Sequence, residues 1–136
     1  MRFLGIDYGT KRIGVAISDE NGTIAFPKEI ILNDKNTFEK IENLIREENI
    51  KEIVIGESAN FKGKPNVLSE KIEVFILGLE EKFKLPVHKQ KEFLTSVEAR
   101  RYQVKADHVD ASAAALILQR YLDLSAQAGK KNNKIL

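Results

Sequence analysis

Short apolar runs separated by turn residues fill the first quarter of the chain. Residues 3–6 form one run that ends at Asp7, and residues 13–17 form a second run after Gly9. The pair Asn21-Gly22 follows, and Asn-Gly is the strongest short-range signal of a β-hairpin. A third strand fits within residues 23–32. The pattern therefore predicts three antiparallel strands at the start of the chain.

Beyond residue 33 the apolar positions change to helical spacing and alternate with short strands. Asn33 or Asp34 is suited to cap the first of these helices. The spacing predicts helices over residues 36–48, 67–83, 95–104 (with Thr95 as cap) and 108–124. Apolar segments at residues 52–56 and 86–89 predict two further strands, and residues 58–65 form the longest loop. Strands that alternate with helices after a leading meander predict an α/β fold, in which helices cover both faces of a mixed sheet.

Length and composition predict one domain and indicate where in the cell it is located. A chain of 136 residues fits a single domain, here residues 1–127, and the polar, lysine-rich residues 128–136 are predicted to be disordered. The absence of cysteine excludes disulfides and thiolate zinc sites. Asp7 comes too early for a signal peptide, and the longest apolar run is far shorter than the ~20 residues that cross a bilayer. We therefore expect a soluble, cytoplasmic protein with no membrane contact. Its net charge of +2 permits a nucleic-acid partner without indicating one.

Three acidic residues at the ends of predicted elements are the candidates for chemistry. Asp7 closes an apolar strand, where an isolated carboxylate is costly to desolvate, although an aspartate that caps the following turn fits equally well. Asp110 shares a predicted helix face with Ala114 and Ile117, although an acidic first turn is also ordinary because the helix dipole favours it. Glu92 follows a short strand, where most glutamates are simply solvated. The spacing alone leaves these alternatives open.

Convergence of the three acids would require a cation. Like charges raise one another's pKa, and a hard divalent ion such as Mg²⁺ or Mn²⁺ relieves that repulsion. Nucleases use such carboxylate-bound ions to activate water and to stabilise the leaving oxygen. Basic residues that could contact phosphate, although each is also an ordinary surface charge, are Lys11, Arg12, Lys62, Lys64 and Arg100.

Two stretches resemble motifs of a known family. Residues 5–16, Gly-Ile-Asp-Tyr-Gly-Thr-Lys-Arg-Ile-Gly-Val-Ala, and residues 110–119, Asp-Ala-Ser-Ala-Ala-Ala-Leu-Ile-Leu-Gln, resemble the YqgF/RuvX family. Members are named as Holliday junction resolvases and pre-16S rRNA nucleases. The resemblance implies an RNase H-like fold, whose five-stranded mixed sheet has three antiparallel strands followed by two parallel ones. It also implies a metal-dependent nuclease that acts on precursor rRNA or on branched DNA, as a monomer or a homodimer.

The resemblance also assigns residues. It maps the family's three acids, which are both catalytic groups and metal ligands, onto Asp7, Glu92 and Asp110. It adds Asn60 and Thr95 to the substrate surface, and we expect the loop of residues 58–65 to border the active site.

Departures from the family pattern leave two other functions open. Lys91 and Phe93 replace an acidic and a basic residue, and residues 56–63 keep only three family positions. A nucleic-acid-binding protein without catalysis would fit this drift. A nucleotide-binding module is the other alternative, because residues 5–10 also resemble the first phosphate loop of actin-like ATPases. Those proteins, however, bind ATP between two such domains.

Overall fold

The computed structural model describes residues 1–57, 67–91 and 109–134. Within these ranges the chain forms five strands and three helices, most of them where the sequence predicts them. The strands are β1 (Arg2–Asp7), β2 (Arg12–Ser18), β3 (Ala25–Leu32), β4 (Ile50–Glu57) and β5 (Val87–Lys91). The helices are α1 (Thr37–Glu47), α2 (Val67–Phe83) and α3 (Val109–Lys134).

One mixed sheet holds all five strands in the order β3-β2-β1-β4-β5. The strands β1, β2 and β3 pair antiparallel, whereas β4 and β5 are parallel to β1. This is the predicted arrangement of three antiparallel strands followed by two parallel ones. Because β1, β4 and β5 run in the same direction, they end at the same end of the sheet, which we call the carboxyl end. Asp7 lies there, at the end of the central strand.

The two faces of the sheet carry separate apolar cores. Leu4 and Ile6 of β1 belong to a core that includes buried residues of α1 and α2. Phe3 of β1 belongs to the other core, which contains Ala114 and Leu118 of α3. Side chains alternate between the faces of a strand, so the leading apolar run supplies both cores at once. Helices cover both faces, as predicted, and the apolar stripes predicted for α1 and α2 face the sheet.

The N-cap of the first helix lies two residues beyond Asp34, the later of its two predicted caps. Its N-cap is Asn36, which makes no capping hydrogen bond through its side chain. Asp34 instead accepts a hydrogen bond from the Asn36 N–H (2.8 Å), and its own N–H donates to the Thr37 hydroxyl (2.9 Å). Neither Asn33 nor Asp34 is therefore the cap, because Asp34 uses its carboxylate to close the turn that precedes the helix.

The last helix is longer than its apolar pattern. We expected it to end near residue 124 and the tail to be disordered from residue 128, whereas α3 continues to Lys134. Six of the ten residues 125–134, two alanines, one glutamine and three lysines, are good helix formers, beside one serine, one glycine and two asparagines, and the segment has no apolar pattern. The predicted helix of residues 95–104 and the loop of residues 58–65 lie outside the described ranges. No helix among the described residues is long and apolar enough to span a bilayer.

Candidate active site

Asp7 occupies the carboxyl end of the central strand. It is the last residue of β1, is half-buried, and pairs with Gly14 of β2. Because side chains alternate along a strand, Asp7 belongs to the same row as Phe3 and Gly5. Phe3 contacts Tyr121 of α3, with ring centroids 5.9 Å apart. The row that ends in Asp7 is therefore the one that faces α3.

Gly5 allows α3 to approach the middle of that row closely. A Cβ atom at Gly5 would lie 2.8 Å from the Leu118 Cβ, which is shorter than real Cβ contacts, and 3.0 Å from the Ala114 carbonyl oxygen, which is tighter than most of them. Any residue larger than glycine would push the helix away from β1. The small residue predicted on this face of the helix, Ala114, is fully buried at the contact.

The contacts also fix the direction of α3 along β1. From Phe3 to Gly5 along the strand, the contacts on α3 move from Tyr121 back to Leu118 and Ala114, so the two elements run antiparallel. The step from Gly5 to Asp7 advances about 6.6 Å along the strand, and four helical residues span about 6 Å. By this count the stretch of α3 level with Asp7 extends from Ala114 back to Asp110, the second residue of the helix.

The other two parallel strands, β4 and β5, end close to the level of Asp7. Ile6 of β1 pairs with Ile55 of β4, which pairs with Lys89 of β5, so all three parallel strands finish within about two residues of the same level. Glu92 directly follows the last residue of β5 and lies outside the described residues. So do the other predicted substrate contacts on the two loops, which are Asn60, Lys62, Lys64, Thr95 and Arg100. Among the side chains that the structure describes, no three acidic or histidine residues form a metal-binding cluster.

Two of the predicted phosphate contacts do lie at the carboxyl end. Lys11 is exposed on the turn between β1 and β2, and Arg12 is exposed as the first residue of β2. The turn is tight, because a Cβ at Gly9 would lie 2.3 Å from the Arg12 carbonyl oxygen. Asn33 holds it by donating from its side chain to the Gly9 carbonyl and from its backbone to the Lys11 carbonyl, both at 2.9 Å. Two cations therefore lie at the carboxyl end of the sheet, one in this turn and one directly after it.

Comparison with known proteins identifies the family. The family model described as "RuvX: Holliday junction resolvase" matches residues 1–124. A protein of Thermoanaerobacter pseudethanolicus named "Putative pre-16S rRNA nuclease" is 40% identical over 134 residues, which cover 90% of this chain and 96% of that protein. A protein of Halothermothrix orenii with the same name is 38% identical, and the match covers 90% of this chain and 95% of that protein. The chain belongs to the RuvX family.

Solved structures share the fold at low sequence identity. RuvC of Thermus thermophilus superposes with a TM-score of 0.64 at 12% identity, over 95% of this chain and 97% of RuvC. The fowlpox virus Holliday junction resolvase superposes with a TM-score of 0.54 at 19% identity, over 90% of this chain and 99% of that protein. RuvC is RNase H-like, so these matches confirm the RNase H-like fold that the resemblance implied.

Sequence reasoning missed two side chains that hold α3 on the sheet of this RuvX protein. Gln119 accepts a hydrogen bond from the Ala25 N–H and donates to the Thr23 carbonyl, both at 2.9 Å. His88 lies 2.6 Å from a Glu52 carboxylate oxygen and stacks on Tyr121 at 5.0 Å between centroids. His88 lies on the outer strand β5. The signal for Gln119 was its amide at the end of an otherwise apolar helical motif.

Proposed function

We propose that this RuvX protein is a cytoplasmic, divalent-metal-dependent endonuclease that hydrolyses phosphodiester bonds in precursor 16S rRNA. The observation that supports the proposal is the close contact of α3 with Gly5, two residues before Asp7 on the same face of β1, because the first turn of α3 contains Asp110. The name shared by the relatives at about 40% identity supports the choice of substrate. The matches extend over nearly the whole length of these relatives.

The donor set fits a hard divalent cation. Asp7, Glu92 and Asp110 offer only carboxylate oxygens, which suit Mg²⁺ or Mn²⁺, and the chain has no cysteine that would favour a softer metal. His88, the described histidine, is engaged by Glu52 rather than turned towards Asp7's end of the sheet. We propose that these three acids hold the ion. When bound there, such an ion lowers the pKa of water and stabilises the leaving oxygen of a phosphodiester.

The residues around Asp7 have their own tasks in this proposal. Asp7 ends the central strand, which is paired with β2 on one side and β4 on the other, so its backbone is held in place before substrate binds. Lys11 and Arg12 neutralise the phosphates that flank the cleaved bond, and the turn that leads into Arg12 is fixed by Gly9 and Asn33. We place the further phosphate and sugar contacts on Asn60, Lys62, Lys64, Thr95 and Arg100.

Branched DNA is the second candidate substrate, because the matching family model is described as a Holliday junction resolvase. The T. thermophilus RuvC structure solved with a Holliday junction substrate shares the fold, with a TM-score of 0.62, at 15% identity. A likeness at that identity shows the fold alone, whereas the relatives at higher identity are named for rRNA. We therefore rank precursor rRNA above branched DNA as the substrate, and one cleavage assay tests both.

The deciding experiment is cleavage of precursor 16S rRNA and of a four-way DNA junction, each with Mg²⁺, with Mn²⁺ and with EDTA. We expect rRNA cleavage that requires metal and is lost in Asp7→Asn. Asp19→Asn is the matched control, since it makes the same chemical change in an exposed turn after β2, at the opposite end of the sheet. Metal-dependent cleavage of the junction alone would make branched DNA, rather than precursor rRNA, the proposed substrate. Cleavage by Asp7→Asn at the wild-type rate would overturn it.

A further inference from the structure

An open groove of about 540 Å³ lies between α1 and α2, and aromatic rings form much of its wall. Tyr8 contacts Phe75 with ring centroids 4.9 Å apart, and Phe75 contacts Phe38 at 5.4 Å. The wall continues to Val74, whose side chain is 69% exposed. Tyr8 and Phe38 are only half-buried, so the groove presents parts of two aromatic rings and one aliphatic side chain to solvent. Its volume lies within the range of about 300–1,000 Å³ that is typical of small-ligand sites.

The groove lies at the same end of the sheet as Asp7. Tyr8 directly follows Asp7, and its ring packs against the core on the α1 and α2 face, whereas Asp7 belongs to the row that faces α3. Phe38 lies in the first turn of α1, which follows the end of β3 opposite Arg12. The groove therefore begins one residue away from Asp7, across the carboxyl edge of the sheet.

The charged residues around the groove limit what can occupy it. Glu70 and Lys71 are both exposed at its rim, and Lys71 precedes Phe75 by one helical turn. The Lys82 ammonium lies over the Phe38 ring, 5.7 Å from the centroid, and adds a second cation. Lysine suits a phosphate, whereas the Glu70 carboxylate only accepts hydrogen bonds and suits an amino group. A nucleotide combines a flat ring, amino groups at the edge of most bases and a phosphate.

We propose that this groove binds an unpaired base of the RNA substrate close to the cleaved bond, with the base stacked on Tyr8 and an adjoining phosphate beside Lys71. The proposal rests on the proposed function, because the occupant is the RNA strand that reaches Asp7. That strand crosses the edge of the sheet between Asp7 and Tyr8. Every base has a face that can stack on an aromatic ring, so the groove selects unpaired RNA rather than a particular sequence.

The test is binding of the full chain to a labelled single-stranded RNA of mixed sequence, measured by fluorescence anisotropy. All variants carry Asp7→Asn, so that the probe is not cleaved in the presence of Mg²⁺. Tyr8→Leu keeps an apolar side chain but loses the ring, and it should bind about tenfold more weakly. Tyr8→Phe keeps the ring and should bind like the parent. Phe26→Leu is the matched control, because it removes a ring that is 48% exposed near the start of β3, at the opposite end of the sheet.

A second probe separates stacking from the attraction between charges. A strand of the same length whose residues lack bases keeps every phosphate, so it should bind the parent and Tyr8→Leu with equal affinity. Lys71→Ala should weaken the binding of both probes, because it acts on phosphate. Circular dichroism and thermal unfolding establish that each variant is folded at the temperature of the titration.

Failure of this proposal is distinguishable from failure of the nuclease proposal. If the wild type cleaves precursor rRNA while Tyr8→Leu leaves RNA binding unchanged, the groove is not a base site and the nuclease stands. If RNA binding depends on Tyr8 as expected but nothing is cleaved, the groove stands and the nuclease fails. A parent that does not bind single-stranded RNA, or equal losses in Tyr8→Leu and Phe26→Leu, would also overturn the assignment of the groove.

Discussion

Gly5→Ala should damage catalysis more than stability, because it acts on the contact that positions α3. The added methyl would lie 2.8 Å from the Leu118 Cβ and 3.0 Å from the Ala114 carbonyl oxygen. Carbon atoms in contact prefer about 3.5–4.0 Å, so the helix must retreat by about 0.7–1.2 Å at Leu118. A backbone carbonyl and a Cβ atom cannot rotate out of the way, so the whole helix must move.

The two consequences of this movement differ in size. Overpacking of a well-packed core costs about 1–3 kcal/mol. For a domain of this length, each kcal/mol lowers the melting temperature by roughly 3–5 °C, so we expect a fall of about 3–15 °C. A misplacement of about 1 Å between catalytic groups costs on the order of 100-fold in rate. Because Asp110 belongs to α3 and Asp7 to β1, the same displacement separates them.

Thermal unfolding and rRNA cleavage, both measured at a temperature where every variant is folded, separate these effects. Ile41→Val is the control, since it removes one methylene from the core on the opposite face and should cost about 1 kcal/mol with little change in rate. If Gly5→Ala loses stability but keeps the wild-type cleavage rate, the approach of α3 to β1 does not position the active site. The central step from the fold to the site would then be wrong.

Three further predictions concern a metal, a turn and a proton. In Asp7→Asn the metal-free protein should melt at or above the wild-type temperature, since one charge of the proposed acidic cluster is removed. The rise in melting temperature that we expect Mn²⁺ to cause in the wild type should be largely lost. Loss of stability with an unchanged metal response would instead make Asp7 a turn residue. Gly9→Ala should destabilise the fold by more than about 2 kcal/mol in urea unfolding. The added Cβ would lie 2.3 Å from the Arg12 carbonyl oxygen, a backbone atom that cannot rotate away as a side chain can. A variant of wild-type stability would contradict this. Hydrogen bonds from the Ile24 and Thr23 backbone N–H groups hold the pKa of Asp19 below its usual value of 3.8. The Asp19 carboxylate therefore stabilises the fold at pH values above 3.8, and this contribution is lost as the pH falls through the lowered pKa. The stability difference between wild type and Asp19→Asn should therefore shrink as acid is added, and a difference that is constant with pH would refute the assignment.

Most of the fold could be predicted from local pattern because single elements carry strong signals. The apolar stripe of α2 predicted both ends of that helix, and Asn21-Gly22 predicted the turn between β2 and β3. The end of α3 was different. Its last residues have helix propensity but no apolar face, and a pattern based on periodicity detects only the part that packs. Asp34 failed as a cap for a related reason, since an aspartate closes a turn as readily as it caps a helix.

The candidate site was less predictable, because its geometry depends on contacts far apart in the sequence. The acid at the end of the first strand was visible as a residue out of place in an apolar run. The position of Asp7 relative to α3 depends on the contact between Gly5 and Leu118. The sequence does not reveal this contact, because a glycine within a strand can serve several structural purposes. Nothing in the spacing indicated that Gln119 would reach Ala25 and hold the helix. The placement of Glu92 beside Asp7 stays a prediction.

Binding of Mn²⁺ to the wild type and to Asp7→Asn, Glu92→Gln and Asp110→Asn, measured by calorimetric titration, tests the central claim most directly. If the three carboxylates share the ion, each substitution removes a charged ligand and should weaken binding by about tenfold or more. Asp19→Asn should bind like the wild type. A wild type that binds no Mn²⁺, or a variant of the three that binds it with unchanged affinity, would contradict the claim that these acids form one metal site.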